Sequence, residues 1–169
     1  MKRLCISVWL AFILFSCKDT PIIGVTVSKY KPVLIARSSL PYSVFVQSPS
    51  NISNPGKYLV NNNYLYVVEK YKGVHIFNNT DPKSPQNLAF VAVPGIETIS
   101  ILNNTLYVDN STDIVALDLS NPANPTITSR IQNVLPQPGP PDGLPLDSQV
   151  NQTTWPHNSV VVNWLKILG

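Results

Sequence analysis

The chain has 169 residues, of which 44% are hydrophobic and only 12% charged, with 16 prolines and a net charge of +3. That length holds one domain, two at most. The charged share is about half of the usual ~25%, yet the apolar fraction supports a core and excludes wholesale disorder.

The chain begins "MKRLCISVWLAFILFSCKDT". Lys2 and Arg3 form a positive n-region, and Leu4 to Phe15 is a mostly apolar run of 12 residues. Spanning a bilayer core takes ~20 apolar residues, so the run reads as a secretory signal. Its end, "LFSC" (14–17), resembles the bacterial lipobox, in which a lipidated Cys becomes the mature N-terminus. Residues 1–16 are then a lipoprotein signal peptide, Cys17 the lipidation site and 17–30 a tether. An ordinary signal peptide cut near Ser16 is the alternative. The chain has two cysteines, Cys5 and Cys17. Cys5 leaves with the signal, so no internal disulfide is expected. Loss of Lys2 and Arg3 leaves ten basic against nine acidic residues, a net charge of +1. No basic stripe remains, and no nucleic-acid partner is expected.

Past the tether, "KPVLIARSSLP" (31–41) reads as an outer strand, Val33–Arg37, of the kind a propeller borrows from its N-terminus to close. Two similar units follow. Asp81-Pro82-Lys83-Ser84-Pro85 falls on Asn121-Pro122-Ala123-Asn124-Pro125 at an offset of 40, and "NNNYLYV" (61–67) on "LNNTLYV" (102–108) at an offset of 41. One residue is lost between the blocks, near Gly73. A period of about 40 residues marks a repeat architecture. The first unit (about 57–94) predicts strands over 57–60, 64–69, 73–77 and 87–93. The second (about 97–135) predicts strands over 98–101, 105–109, 113–118 and 127–131. Val, Ile, Tyr, Phe and Thr dominate them. "NNN" (61–63) and "NN" (103–104) suit tight turns with positive φ. "IVAL" (114–117) is apolar on both faces, as in a sheet stacked between neighbours.

Each third strand runs into an Asx residue, Asn78 or Asp118, and then a Pro-x-x-Pro stop. The Asx side chain accepts bonds from nearby N–H groups and starts a turn. Pro82 and Pro122 cannot continue a ladder. Pro85 and Pro125 begin the outer strand, an edge where Pro is tolerated. These six residues read as structural connectors. Residues 136–157 hold six prolines and read as a long solvated loop in which Trp155 is a candidate contact. Residues 158–169 read as a strand opening a further blade.

"IVALD" (114–118) followed by "LSNPANP" resembles the LVIVD repeat, and "VHIFN" (74–78) with "NTDPKSP" resembles a degenerate copy. "LYV" precedes both. The stretch from "PVLIARSSL" to "NPGKYLVNNNYLYV" resembles the opening of LVIVD lipoproteins of Gram-negative bacteria. The likeness covers 31–134 and the lipobox. It implies an all-β fold of about two four-stranded antiparallel propeller-type blades after a signal peptide. It also implies a protein exported to the outer membrane or cell surface, lipid-anchored at Cys17. Members of the family are longer, which implies a truncated member.

Chemistry-bearing patterns are sparse. His75 lies in a strand and His157 in the Pro-rich loop, without metal-ligand spacing. Glu69, Asp109, Asp113 and Asp118 fall near strand ends and read as a rim of solvated turn acids. No catalytic residue, metal or cofactor is expected. The expected role is a non-catalytic scaffold for a protein or glycan ligand. Two alternatives stand: a propeller-type hydrolase using converging Glu69, His75 and Asp109, and a secreted module glycosylated at Asn51, Asn78, Asn103, Asn110 or Asn151. Bare sheet faces are expected at Ile114, Val115, Leu117 and Trp164.

Overall fold

A computed structural model describes residues 26–150 and 152–167. The signal segment, Cys17 and Asn151 lie outside the described residues.

Among the described residues the fold is all-β, built from three antiparallel sheets, none closed on itself. The first repeat unit forms β3 (Pro55–Asn61), β4 (Tyr64–Glu69), β5 (Gly73–Asn78) and β6 (Gln86–Ala92). A short strand, β2 (Phe45–Gln47), adds to β6 and makes the order β2-β6-β5-β4-β3. The second unit forms β7 (Ile99–Leu102), β8 (Thr105–Asn110), β9 (Asp113–Asp118) and β10 (Thr126–Ile131), in the order β10-β9-β8-β7. A terminal sheet pairs β1 (Tyr30–Ala36) with β11 (Ser159–Lys166).

The repeat is visible in the turns. Asn62 and Asn103 take φ of 52° and 54° in the first hairpin of each unit, the left-handed backbone that Asn tolerates. The missing residue is located as well. Three residues, Lys70–Lys72, join β4 to β5, whereas two, Ser111 and Thr112, join β8 to β9.

The connectors also match each other. Asn78 Oδ1 accepts from Thr80 N (3.0 Å) and Thr80 Oγ1 (2.6 Å). Asp118 Oδ1 accepts from Ser120 N (3.1 Å) and Ser120 Oγ (2.9 Å). A second Asx turn follows in each copy, at Asp81 and at Asn121. Pro82 and Pro122 then occupy the second position of turns closed by Ser84 N→Asp81 O (3.0 Å) and Asn124 N→Asn121 O (2.9 Å), where the fixed φ of proline fits. Two details differ from the sequence expectation. Pro85 and Pro125 stand just before β6 and β10. In the first unit, β6 is no edge, because β2 covers it.

Asp118 also accepts from Asn104 Nδ2 (3.1 Å), tying the connector to the β7–β8 turn. Asp118→Ala is expected to lower stability by roughly 0.5–2 kcal/mol, the cost of losing a side-chain cap, as read by urea denaturation. A metal-dependent melting shift that disappears in the variant would make Asp118 a ligand instead.

The core lies between the two large sheets. Tyr66, Val68, Val74, Ile76 and Val91 of the first pack on Leu106, Val108, Val115 and Leu117 of the second. Each strand alternates sides, so one face of each sheet supplies this set. Val115 and Leu117 are therefore buried, Trp164 is buried against Tyr71 and Val161, and Ile114 is half-buried, contrary to the expected exposure. The solvent-facing apolar residues of the two large sheets include Tyr58, Val60 and Leu102 instead.

The Pro-rich segment is anchored at several points. Ser28 N donates to Pro145 O (2.8 Å) and Lys29 N to Asp142 Oδ2 (3.1 Å). Leu146 and Trp155 pack on Tyr71, Val161 and Trp164. Gln137 Oε1 accepts from Val161 N (2.9 Å), so a side-chain amide occupies part of the open edge of β11. Trp155 is half-buried, with its Nε1 donating to Val150 O (2.9 Å).

Candidate functional site

The terminal sheet docks against the turn ends of both large sheets and leaves a cleft of about 940 Å³. Tyr71 sets one wall. Its φ of 62° is left-handed, a strained conformation for a bulky residue that persists only when its surroundings hold it. Two hydrogen bonds do so: Tyr71 N to Ile96 O (2.8 Å) and Gly95 N to Tyr71 O (3.0 Å). The Tyr71 ring thereby lies against Val161 and Trp164 of β11. Burial pushes its phenol up to about 12, aided by the charge of Glu97 and a hydrogen bond to it. Tyr71 is thus a neutral donor at any physiological pH.

Tyr30, Tyr58, Tyr71 and Trp164 supply rings to the cleft, and Pro55, Pro140 and Pro141 add flat apolar surface. Asn54, Lys57, Lys70, Glu97 and Asn163 place polar groups around them. Lys70 and Glu97 are exposed. A concave apolar floor with a few polar groups at its rim is the usual construction of a ligand site. Trp155, the candidate contact in the loop, lies in a separate hollow with Gln137, His157 and Ser159.

The strand-end acids do something else. Glu69, Asp109 and Asp113 are buried, not a solvated rim. Asp109 accepts from Glu97 N (3.1 Å) and Thr98 N (2.8 Å), pinning the crossover that leads into β7. Burial nevertheless pushes the Asp109 carboxyl up. Glu69 performs the same task before β3, accepting from Ser53 N (3.0 Å), Ser53 Oγ (2.6 Å) and Asn54 N (2.8 Å). Burial pushes Glu69 up, but these donors and Lys72 outweigh it and hold the carboxyl down at about 2.

His75 Nε2 stands 3.6 Å from Glu69 Oε2, and both residues are buried. Phe90 covers the imidazole at a ring-centroid distance of 4.7 Å. The ring can lie there because residue 73 is glycine; a Cβ at that position would come within 2.7 Å of Phe90 and collide with the Val91 carbonyl. Burial depresses the His75 pKa, against the opposing pull of Glu69. Neither Glu69 nor His75 lines the cleft, and Asp109 stays with its own backbone donors. The structure brings together two of the three residues a hydrolase would use, but not at an accessible surface.

Asp113 joins the terminal sheet to the second sheet. Its Oδ1 lies 2.6 Å from Arg37 Nη2, and its Oδ2 lies 2.7 Å from Arg130 Nη1. Asn133 N also donates to Oδ1 (3.0 Å). Burial pushes the Asp113 carboxyl up, but Arg37, Asn133 and Arg130 prevail and lower it. Arg130 Nη1 continues to Asn110 Oδ1 (2.8 Å), and Asn110 Nδ2 to Pro94 O (2.7 Å). Asn110 is fully buried, so it is closed to glycosylation in the folded chain.

Sequence reasoning singled out neither the cleft nor the Asp113 cluster. A three-residue hairpin loop often holds one residue in the left-handed region, and here that residue is Tyr71. Among the described residues, no group of three His, Cys, Asp or Glu side chains can hold a metal ion, and no helix is long and apolar enough to cross a membrane. Comparison with protein-family models, curated proteins and solved structures finds no match for this chain.

Proposed function

We propose that the chain is a cell-envelope lipoprotein of LVIVD type, lipid-anchored at Cys17 in the outer membrane or on the cell surface of a Gram-negative bacterium. Its two large sheets act as propeller-type blades, and its role is non-catalytic binding of a glycan. The observation that carries the binding role is the cleft. The exposed ring of Tyr58 and the half-buried ring of Tyr30 offer flat apolar surface for a sugar ring, with Tyr71 buried behind them, and Asn54, Lys70, Glu97 and Asn163 offer polar partners for hydroxyls. Aromatic faces combined with a few polar groups suit a ligand that is apolar on its faces and polar at its edges. A hydrolase is disfavoured because Glu69 and His75 are buried and do not line the cleft. The glycosylated-module reading loses one acceptor at the buried Asn110.

Two variants test the two halves of this proposal. Cys17→Ser is expected to release the protein from the membrane fraction on extraction with high salt. One acyl chain binds only marginally, and stable anchoring takes a second signal. Continued sedimentation with membranes would remove the lipid anchor. On a glycan array, the full chain is expected to bind a subset of oligosaccharides, and Lys70→Ala or Glu97→Ala to weaken those signals at least several-fold. Binding only to peptides on a parallel array would make the ligand a protein; binding to neither would remove the cleft as the site.

A further inference from the structure

The two large sheets pack through unlike faces. The first sheet presents the side bearing Tyr66 and Val74, and the second presents the side bearing Leu106 and Leu117. The repeat offsets of 41 and 40 place Tyr66 on Tyr107 and Val74 on Ile114. The same offsets place Leu106 on Leu65 and Leu117 on Phe77. The face used by one sheet is therefore the face left open on the other.

Both open faces carry apolar residues, beside buried polar ones, His75 on the first and Asp109 on the second. On the first sheet, Leu65 and Phe77 are cross-strand partners and half-buried; Tyr58 and Val60 beside them are 69% and 58% exposed. On the second sheet, Tyr107 and Ile114 are half-buried and Leu102 is 63% exposed. A hollow of about 140 Å³ beside Leu135 opens between Tyr107 and Ile114.

We propose that a second copy of this chain docks here, laying the Tyr107 and Ile114 face of its second sheet on the Leu65 and Phe77 face of the first sheet. The contact repeats between molecules the packing that joins the two sheets within one. It also brings β7 of one copy beside β3 of the next, as β7 neighbours β3 inside the chain. This fixes the partner. An isologous pairing would lay like face on like, which the chain itself does not do. Head-to-tail contacts of this kind close into rings when the rotation allows and otherwise extend as filaments. The inference needs only the packing of the two sheets, not the anchor or the glycan.

The test uses the full chain in detergent, followed by sedimentation over a range of concentrations. Wild type is expected to associate. Val60→Glu alone and Leu102→Lys alone are each expected to weaken association at least tenfold, because each charge meets an apolar face. Mixed in equal amounts at low salt, the two variants are expected to associate again, since residues 60 and 102 lie on opposite sides of the same contact. A monomer at the highest attainable concentration overturns the proposal, as does unchanged association of either single variant. If a charge prevents folding, Val60→Cys and Leu102→Cys are mixed and oxidised, with Cys5 and Cys17 replaced by Ser. A 60–102 disulfide supports the head-to-tail contact; 60–60 and 102–102 links without it overturn it.

Discussion

Asp113→Ala is expected to lower the free energy of unfolding by roughly 3–5 kcal/mol, the range for breaking a buried ion pair by removing one partner. The carboxylate is fully buried and is shared by two guanidinium groups. Its removal leaves Arg37 and Arg130 at the same junction with no anion between them. Their side chains are only 20% and 11% exposed, so water repays little of the loss. Domains of this size are stable by about 5–15 kcal/mol, so the loss is a large share of the total. The contrast with Arg37→Met is informative. That change removes a cation but leaves Asp113 paired with Arg130 and held by Asn133 N. It is expected to cost less overall and to loosen the terminal sheet selectively, because Arg37 immediately follows β1. Chemical denaturation gives the total, and hydrogen exchange over 30–36 and 159–166 gives the local opening. A loss in Asp113→Ala below about 1 kcal/mol, the worth of a surface pair, would show that the cluster is solvated in solution.

The strands were legible because their signals are local. β4 and β9 lie where Tyr64–Glu69 and Asp113–Asp118 place them, since β-branched and aromatic runs bounded by Asn and Asp leave few alternatives. The connectors were legible because an Asx turn is made by residues two apart in sequence. β2 was missed: its three residues fall below the length at which alternation can be recognised, although Val44 and Val46 contribute to the core. The buried acids were read as solvated because their partners are distant. Asp113 finds Arg37 across 76 positions, and no spacing rule connects them. The cleft has the same origin. Tyr30, Tyr71 and Trp164 meet only because β1 and β11 pair, and a pairing between the two ends of a chain leaves no mark in local composition. The Pro-rich segment was expected to be solvated because proline excludes regular structure. It is held instead by side-chain contacts that need no ladder.

Acid is expected to destabilise the fold in two stages, and His75 sets the first. The imidazole is fully buried against Phe90, and among the described residues neither ring nitrogen has a hydrogen-bond partner within 3.5 Å. Its pKa in the folded chain lies below the ordinary value of 6.5 because burial disfavours the cation. As pH falls below about 6.5, the unfolded chain takes up a proton that the folded chain refuses. Stability then falls by up to about 1.4 kcal/mol per pH unit until the folded pKa is reached. Glu69 and Asp113 act lower. Their folded pKa values are depressed, so they contribute stability above the ordinary carboxylate range and lose it as pH falls through that range, for Glu69 from 4.5 down to about 2. Asp109 works in the opposite sense: its raised pKa means that the folded chain takes up the proton first, and acid relieves part of its burial cost. The variant His75→Val separates these contributions. Valine keeps a β-branched apolar residue in the strand without a titratable ring, and it stands at the equivalent repeat position, Val115, in the second unit. Denaturation at closely spaced pH values is expected to show the wild type losing stability between pH 6.5 and 5 while His75→Val stays nearly flat. Once the pH is below the folded pKa of His75, the two curves are expected to descend in parallel as Glu69 and Asp113 lose their contributions. Asp109 contributes equally to both proteins, so the difference between the curves isolates the histidine. Equal slopes above pH 5 would mean that His75 accepts its proton inside the fold, with Glu69 at 3.6 Å stabilising the cation more than burial opposes it.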